Sequence, residues 1–129
     1  MTDKEYKAQK RRIRKVLKEW VGPCGFGWYR LVFEYDRHYA ADNDRTFAMM
    51  TVLWQYRSAR IVFFLPVAVE VDEEELEHCV VHELCHLLVG SIEDYSSEAC
   101  RQQTEYAVTA VTNALLWARK AGREDAKCS

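Results

Sequence analysis

The stretch VDEEELEHCVVHELCHLLVG, residues 71–90, predicts one long helix over residues 72–90. Asp72 is typical of a helix N-cap, and Glu75 follows it by three residues, as in a capping box. Gly90 is well placed to end the helix. The apolar residues that would form its packing face recur at helical spacing, and they are Leu76, Val80, Leu84, Leu87 and Leu88.

Two histidines, His82 and His86, lie four residues apart within this helix. Residues at this spacing share one helix face, so both imidazoles can bind the same metal ion. Glu83 follows the first histidine and completes an H-E-x-x-H pattern, in which zinc activates a water and polarises the scissile carbonyl. The glutamate accepts the proton of that water and passes it to the leaving amine. We therefore predict that His82 and His86 bind Zn²⁺ and that Glu83 is the catalytic base.

A catalytic zinc site takes three protein ligands and leaves a fourth position open for water. The chain has four histidines, and none of them follows His86, which excludes the metzincin pattern with its third, downstream histidine. An acidic residue downstream of His86 is then the expected third ligand. The candidates are Glu93, Asp94, Glu98 and Glu105.

The register of the next helix favours Glu105 among these candidates. Residues 97–121 predict a last long helix, with apolar residues at helical spacing. If this helix begins near Ser97 and returns alongside the first, Glu105 comes level with the histidine pair. An acid at position 98 is already explained by the helix dipole, because negative charge is favourable in a first helical turn.

The rest of the chain predicts an α+β domain. Residues 1–20 predict a basic amphipathic helix, and residues 28–66 predict three strands rich in aromatic and β-branched residues. Pro66 would fit the end of an edge strand, since proline cannot donate a ladder hydrogen bond. We expect one domain over residues 1–129, with a small, about three-stranded sheet packed on the histidine helix and on the helix that follows it.

Composition restricts the cellular setting. The chain has 129 residues, 49% of them hydrophobic, and a net charge of -2, as in a globular domain without an overall attraction to nucleic acid or membrane. No apolar run approaches the roughly 20 residues of a spanning helix, and no secretory signal is recognisable, so a cytoplasmic location is expected. Five cysteines without a C-x-x-C pair argue against disulfides and against a thiolate zinc site.

The stretch HELCH, followed by a second helix bearing EYAVTAVTNALL, resembles the compact gluzincin-type metallopeptidases called minigluzincins. It also resembles metallopeptidase-like proteins of phages and prophages. The resemblance covers roughly residues 28–120 and implies a zincin-like fold, with His82, His86 and Glu105 as zinc ligands and Glu83 as the base. It further implies that RIVFFL, residues 60–65, lies at the rim of the cleft and pairs with extended substrate.

One position departs from the larger gluzincins. Those proteins often carry an acid four residues after the ligand glutamate, where it supports a histidine. This chain has Thr109 at that position.

Our leading prediction is a small zinc metallopeptidase that acts on a protein or peptide substrate. A first alternative is a nucleic-acid-associated protein, because eight lysines and arginines lie between positions 4 and 18. A solvated helix face is the more ordinary explanation of such a charge cluster. A second alternative is a zinc-binding interaction protein without peptidase activity, although a purely structural site would not need Glu83. The oligomeric state stays open.

Overall fold

The computed structural model describes residues 1–22, 30–41, 43–53, 56–89 and 98–128, with the side chains of residues 88, 98–100 and 125–128 left aside. Within these ranges the chain forms four helices and three strands, which confirms the α+β prediction. In chain order they are α1 (Asp3–Trp20), β1 (Arg30–Asp36), β2 (Ala48–Leu53), β3 (Ser58–Phe64), α2 (Leu65–Val69), α3 (Glu73–Val89) and α4 (Glu98–Cys128).

The chain divides within α3 into two compact units, Met1–Val80 and Val81–Ser129. The first unit contains α1, the sheet, α2 and the first half of α3. The second unit contains the rest of α3 together with α4. A single domain, and packing of the sheet on the histidine helix, both stay predictions.

Helix α1 begins with a capping box. The hydroxyl of Thr2 accepts the backbone N–H of Glu5 at 3.1 Å, and the Glu5 carboxylate accepts the backbone N–H of Thr2 at 2.9 Å. The predicted apolar face is buried, with Ile13, Leu17 and Trp20 in the core. These contacts confirm an amphipathic first helix.

The guanidinium of Arg12 in α1 is directed into the first unit. It donates hydrogen bonds to the backbone carbonyls of Ala68 at 2.7 Å and Val71 at 2.6 Å, and to the Glu73 carboxylate at 2.6 Å. A guanidinium presents several donors in one plane, so it can satisfy three acceptors together. Arg12 thereby connects α1 to the end of α2 and to the start of α3.

The sheet is mixed, with strand order β1-β3-β2. Strand β3 is parallel to β1 and antiparallel to β2. Its alternate residues Ala59, Ile61 and Phe63 are buried, as expected for a strand that faces a core on one side. The Phe63 ring packs against three aromatic neighbours from β1 and from the segment before β2, with ring centroids 5.6–6.3 Å apart.

The central position of β3 contradicts one implication of the family resemblance. Residues 60–65 were expected at the rim of a cleft, paired with extended substrate. Instead β3 is hydrogen-bonded to a strand on each side, so its backbone has no open edge for a substrate strand. That expectation is wrong.

The predicted role of Pro66 is also wrong, because β3 ends before it. Residues Leu65–Val69 form the short helix α2, with Pro66 in its first turn. Proline is tolerated there because a first-turn N–H has no partner within the helix. Leu65 and Ala68 are fully buried, which makes α2 part of the core of the first unit.

Helix α3 follows the prediction closely. The Asp72 carboxylate accepts the backbone N–H of Glu75 at 2.8 Å, as expected of an N-cap. Of its predicted packing face, Leu76, Val80, Leu84 and Leu87 are buried, whereas the Leu88 side chain and Gly90 lie outside the described residues.

Helix α4 is longer than predicted and continues to Cys128. Its Trp117 is 73% exposed and therefore does not contribute to a core. Across the described chain, no helix is both long and apolar enough to span a bilayer.

Candidate metal centre

His82 and His86 lie on one face of α3, in the second unit. Both side chains are partly buried, with exposed fractions of 22% and 19%. Their ring centroids are 5.1 Å apart and the ring planes are inclined by 78°. One helical turn separates them, which is the spacing that allows two imidazoles to bind one ion.

Glu105 brings its carboxylate to this histidine pair from α4. One carboxylate oxygen lies 3.5 Å from Nε2 of His82, and the other lies 3.2 Å from Nε2 of His86. One donor atom from each of the three residues can be chosen so that all lie within 4.8 Å of one another. Among the described residues, these three form the group suited to holding a metal ion.

The donor set and its spacing fit a zinc ion. Zinc in proteins is bound by histidine nitrogen and carboxylate oxygen at about 2.0–2.2 Å, which puts two donors of a tetrahedral site about 3.4 Å apart. The two nitrogen–oxygen distances of 3.2 and 3.5 Å are close to that separation. The Glu105 side chain is 55% exposed, so solvent reaches the cluster and a fourth position can be occupied by water.

The carboxyl group of Glu83 lies beside this cluster. Burial raises its pKa to about 7, a rise that the charge of His86 opposes and that of Glu105 reinforces. A bound dication would stabilise the carboxylate form and lower this pKa. A general base is most effective when its pKa is near the working pH, so burial and a bound cation would act on the Glu83 pKa in opposite directions.

A buried polar contact joins α3 and α4 within the second unit. The fully buried Thr112 donates its hydroxyl hydrogen to the carbonyl of Val108 at 2.7 Å, and its side chain interacts with the buried thiol of Cys85 on α3. Burial raises the pKa of that thiol, and the nearby Thr112 side chain opposes the rise. Glu105, Val108 and Thr112 are spaced by three and four residues, so they share one face of α4. Thr112 therefore lies on the side of α4 that also carries Glu105, and it is buried where Glu105 is exposed.

Sequence reasoning missed this contact. Thr109 stands where the larger gluzincins often carry an acid, but its side chain is exposed. A heptad step from Glu105 leads to Thr112, and that spacing is the signal that could have identified it.

The other acidic candidates for the third ligand are not among the side chains that the structure describes. Glu93, Asp94 and the side chain of Glu98 lie outside the described residues. His38 is at the surface, where its ring Nδ1 lies 3.2 Å from Asp36 of the first unit. His78 belongs to the first unit and is not in the cluster.

The sequence offers four candidates for a group that would stabilise an oxyanion, and they are Tyr95, Arg101, Tyr106 and His78. Tyr95 lies outside the described residues, and Tyr106 is 80% exposed on α4, adjacent to Glu105 in the chain.

In comparisons with models of protein families, with curated proteins and with solved structures, nothing matched the chain. The family assignment therefore stays a prediction that rests on the motif and on the order of the elements.

Proposed function

We propose that this chain is a zinc-dependent metallopeptidase with the ligand arrangement of a gluzincin. The observation that carries the proposal is the convergence of His82, His86 and Glu105, whose donor atoms meet at a spacing suited to zinc. Glu83 stands beside them with a pKa near neutrality. Two imidazoles, one carboxylate ligand and one adjacent carboxylate base form the set that metal-assisted peptide hydrolysis needs.

Each side chain has a defined task in this proposal. His82, His86 and Glu105 would hold the ion, which when bound would polarise the scissile carbonyl and lower the pKa of the attacking water. Glu83 accepts the proton of that water and delivers it to the leaving amine. The exposed side of Glu105 leaves the cluster accessible to a peptide from solvent.

The experiment compares wild type with Glu83→Gln and with the double variant His82→Ala, His86→Ala. Bound zinc is measured by elemental analysis, and hydrolysis is followed with a library of fluorogenic peptides. Glu83→Gln should keep the zinc and lose roughly 10²–10⁴-fold in hydrolysis, because an amide cannot accept the proton. The double variant should lose both.

The control is Glu74→Gln, which makes the same chemical change at an exposed position of α3. It should keep zinc and activity. Hydrolysis that is unaffected by Glu83→Gln would remove Glu83 from its role as the base. Zinc without hydrolysis in wild type would favour the interaction protein, in which the metal is structural.

A further inference from the structure

A second candidate site lies on α1, in the first unit. Six cationic side chains line a shallow surface groove of about 700 Å³, and we refer to them as the basic face: Lys7, Lys10, Arg11, Arg14, Lys15 and Lys18. At about 100° per residue they occupy an arc of roughly 140° on the helix, and at 1.5 Å per residue they extend over about 16 Å. The basic face is therefore a continuous strip of positive charge.

The charges of the basic face are not neutralised within the described part of the first unit. Three other cations there each have an acidic partner: Arg12 pairs with Glu73, Arg37 with Asp3, and Arg60 with Glu34. For the six side chains of the basic face, by contrast, no ion pair with a described acid is formed. The chain as a whole has a net charge of -2, so this strip is a local excess rather than a general property.

Two nearby rings hold one of these cations in place. The Lys10 ammonium lies 5.9 Å from the ring centroid of Tyr6 and 5.2 Å from that of Tyr35, distances at which a cation is attracted to an aromatic face. Part of the strip is thus positioned before any ligand arrives.

The apolar side of α1 decides what kind of ligand the basic face can take. A helix that binds a membrane surface inserts its apolar face, but here Ile13, Leu17 and Trp20 are buried in the protein's own core. A specific protein interface has an apolar centre, and the basic face carries no exposed large hydrophobic residue. Repeated phosphates need only accessible cations at regular spacing, and every member of the basic face except the half-buried Lys10 is exposed.

We propose that the basic face binds the phosphate backbone of a nucleic acid, without reading the base sequence. Neighbouring cations on one helix face are about 5–6 Å apart, and the 16 Å strip is about as long as the axial rise of five phosphates on one strand. The contacts are electrostatic, so the binding weakens as salt rises. The proposal is independent of the metal centre.

The experiment measures fluorescence anisotropy of a labelled DNA duplex titrated with the full chain, over a series of KCl concentrations. The test variant is Lys7→Gln with Arg14→Gln, two members of the basic face. The matched control is Arg30→Gln with Lys120→Gln, which removes two exposed positive charges elsewhere. Circular dichroism of all three proteins verifies that the helices are retained.

Wild type should bind two duplexes of unrelated sequence equally, with an affinity that falls steeply with salt. For the test variant, the plot of log K against log salt should be less steep by about 2, because two phosphate contacts are lost. The control should keep the wild-type slope. Equal losses in the test and control variants would overturn the proposal, as would binding that is insensitive to salt. Competition by polyglutamate as strong as by unlabelled duplex would also overturn it, because the surface would then accept any polyanion.

Discussion

Nε2 of His86 lies 3.2 Å from a carboxylate oxygen of Glu105, although the two residues belong to different helices. The second carboxylate oxygen is 3.5 Å from Nε2 of His82, so one glutamate faces both histidines. One oxygen of Glu105 and the two imidazole nitrogens would supply the three protein donors of a zinc site and would leave the fourth position for water. This arrangement makes Glu105, rather than another acid after His86, the residue on which metal binding is expected to depend.

Replacing Glu105 by glutamine should weaken zinc binding by more than about 100-fold, because even residues that only support ligands cost 10–100-fold when changed. Glu98→Gln, a nearby acid of α4 proposed as the alternative ligand, should leave the affinity close to that of wild type. Competition with a zinc-sensitive chelating dye measures both. If Glu98→Gln removed the metal and Glu105→Gln retained it, the ligand assignment would be reversed.

The metal-free protein should lose stability as pH rises, because of Glu83. Its pKa is raised from 4.5 to about 7 in the folded state, so the folded chain holds an extra proton between these values. The free energy of unfolding then falls as pH increases through this window and levels off above it. The loss should reach up to about 3 kcal/mol relative to Glu83→Gln, which has no proton to release.

Chemical denaturation in the presence of a chelator, at several pH values from 4.5 to 8, tests this difference between wild type and Glu83→Gln. Parallel pH profiles for the two proteins would show that Glu83 is not the group responsible.

Thr112→Ala should destabilise the protein by about 1–2 kcal/mol, because it removes a buried methyl group and a buried hydroxyl that donates to the carbonyl of Val108. Thr109→Ala makes the same change at an exposed position of α4. It should be neutral or slightly stabilising, since alanine is the better helix former. Urea unfolding curves of the two variants provide the comparison, and equal costs would rule out a special role for the buried threonine.

Arg12→Gln should cost about 2 kcal/mol of unfolding free energy, because the shorter side chain cannot reach the carbonyls of Ala68 and Val71. Arg11→Gln removes the same charge from the neighbouring, exposed position and should stay within about 0.5 kcal/mol of wild type. Thermal unfolding monitored by circular dichroism measures both variants. A similar shift in the two would mean that loss of charge, not loss of these hydrogen bonds, is responsible.

The features of the fold that depend on residues close together in the chain could be predicted from local sequence patterns. The apolar face of α1, the Asp72 cap and the common face of His82 and His86 all follow from helical periodicity, which involves residues three or four positions apart. The register of the helix that follows His86 also favours Glu105 over the other acids downstream of that histidine.

The order of the strands in the sheet could not be predicted from the sequence. The alternation of apolar and polar residues shows which side of a strand is buried, but it does not show which strand becomes its neighbour. The aromatic partners of Phe63 are distant from it in the chain. The strand that carries Phe63, β3, lies at the centre of the sheet and not at its edge. Helix α2 was missed since five residues are too few to show a period.

The sequence by itself thus determined that the histidine pair and the adjacent Glu83 lie together, because one helical turn brings those residues close wherever the helix lies. Only the tertiary structure decided which described carboxylate meets the histidines. That choice depends on how α4 lies against the second half of α3, which brings Glu105 to a helix that is distant from it along the chain. Packing between residues far apart in sequence has no periodic signature, so it becomes visible only in three dimensions.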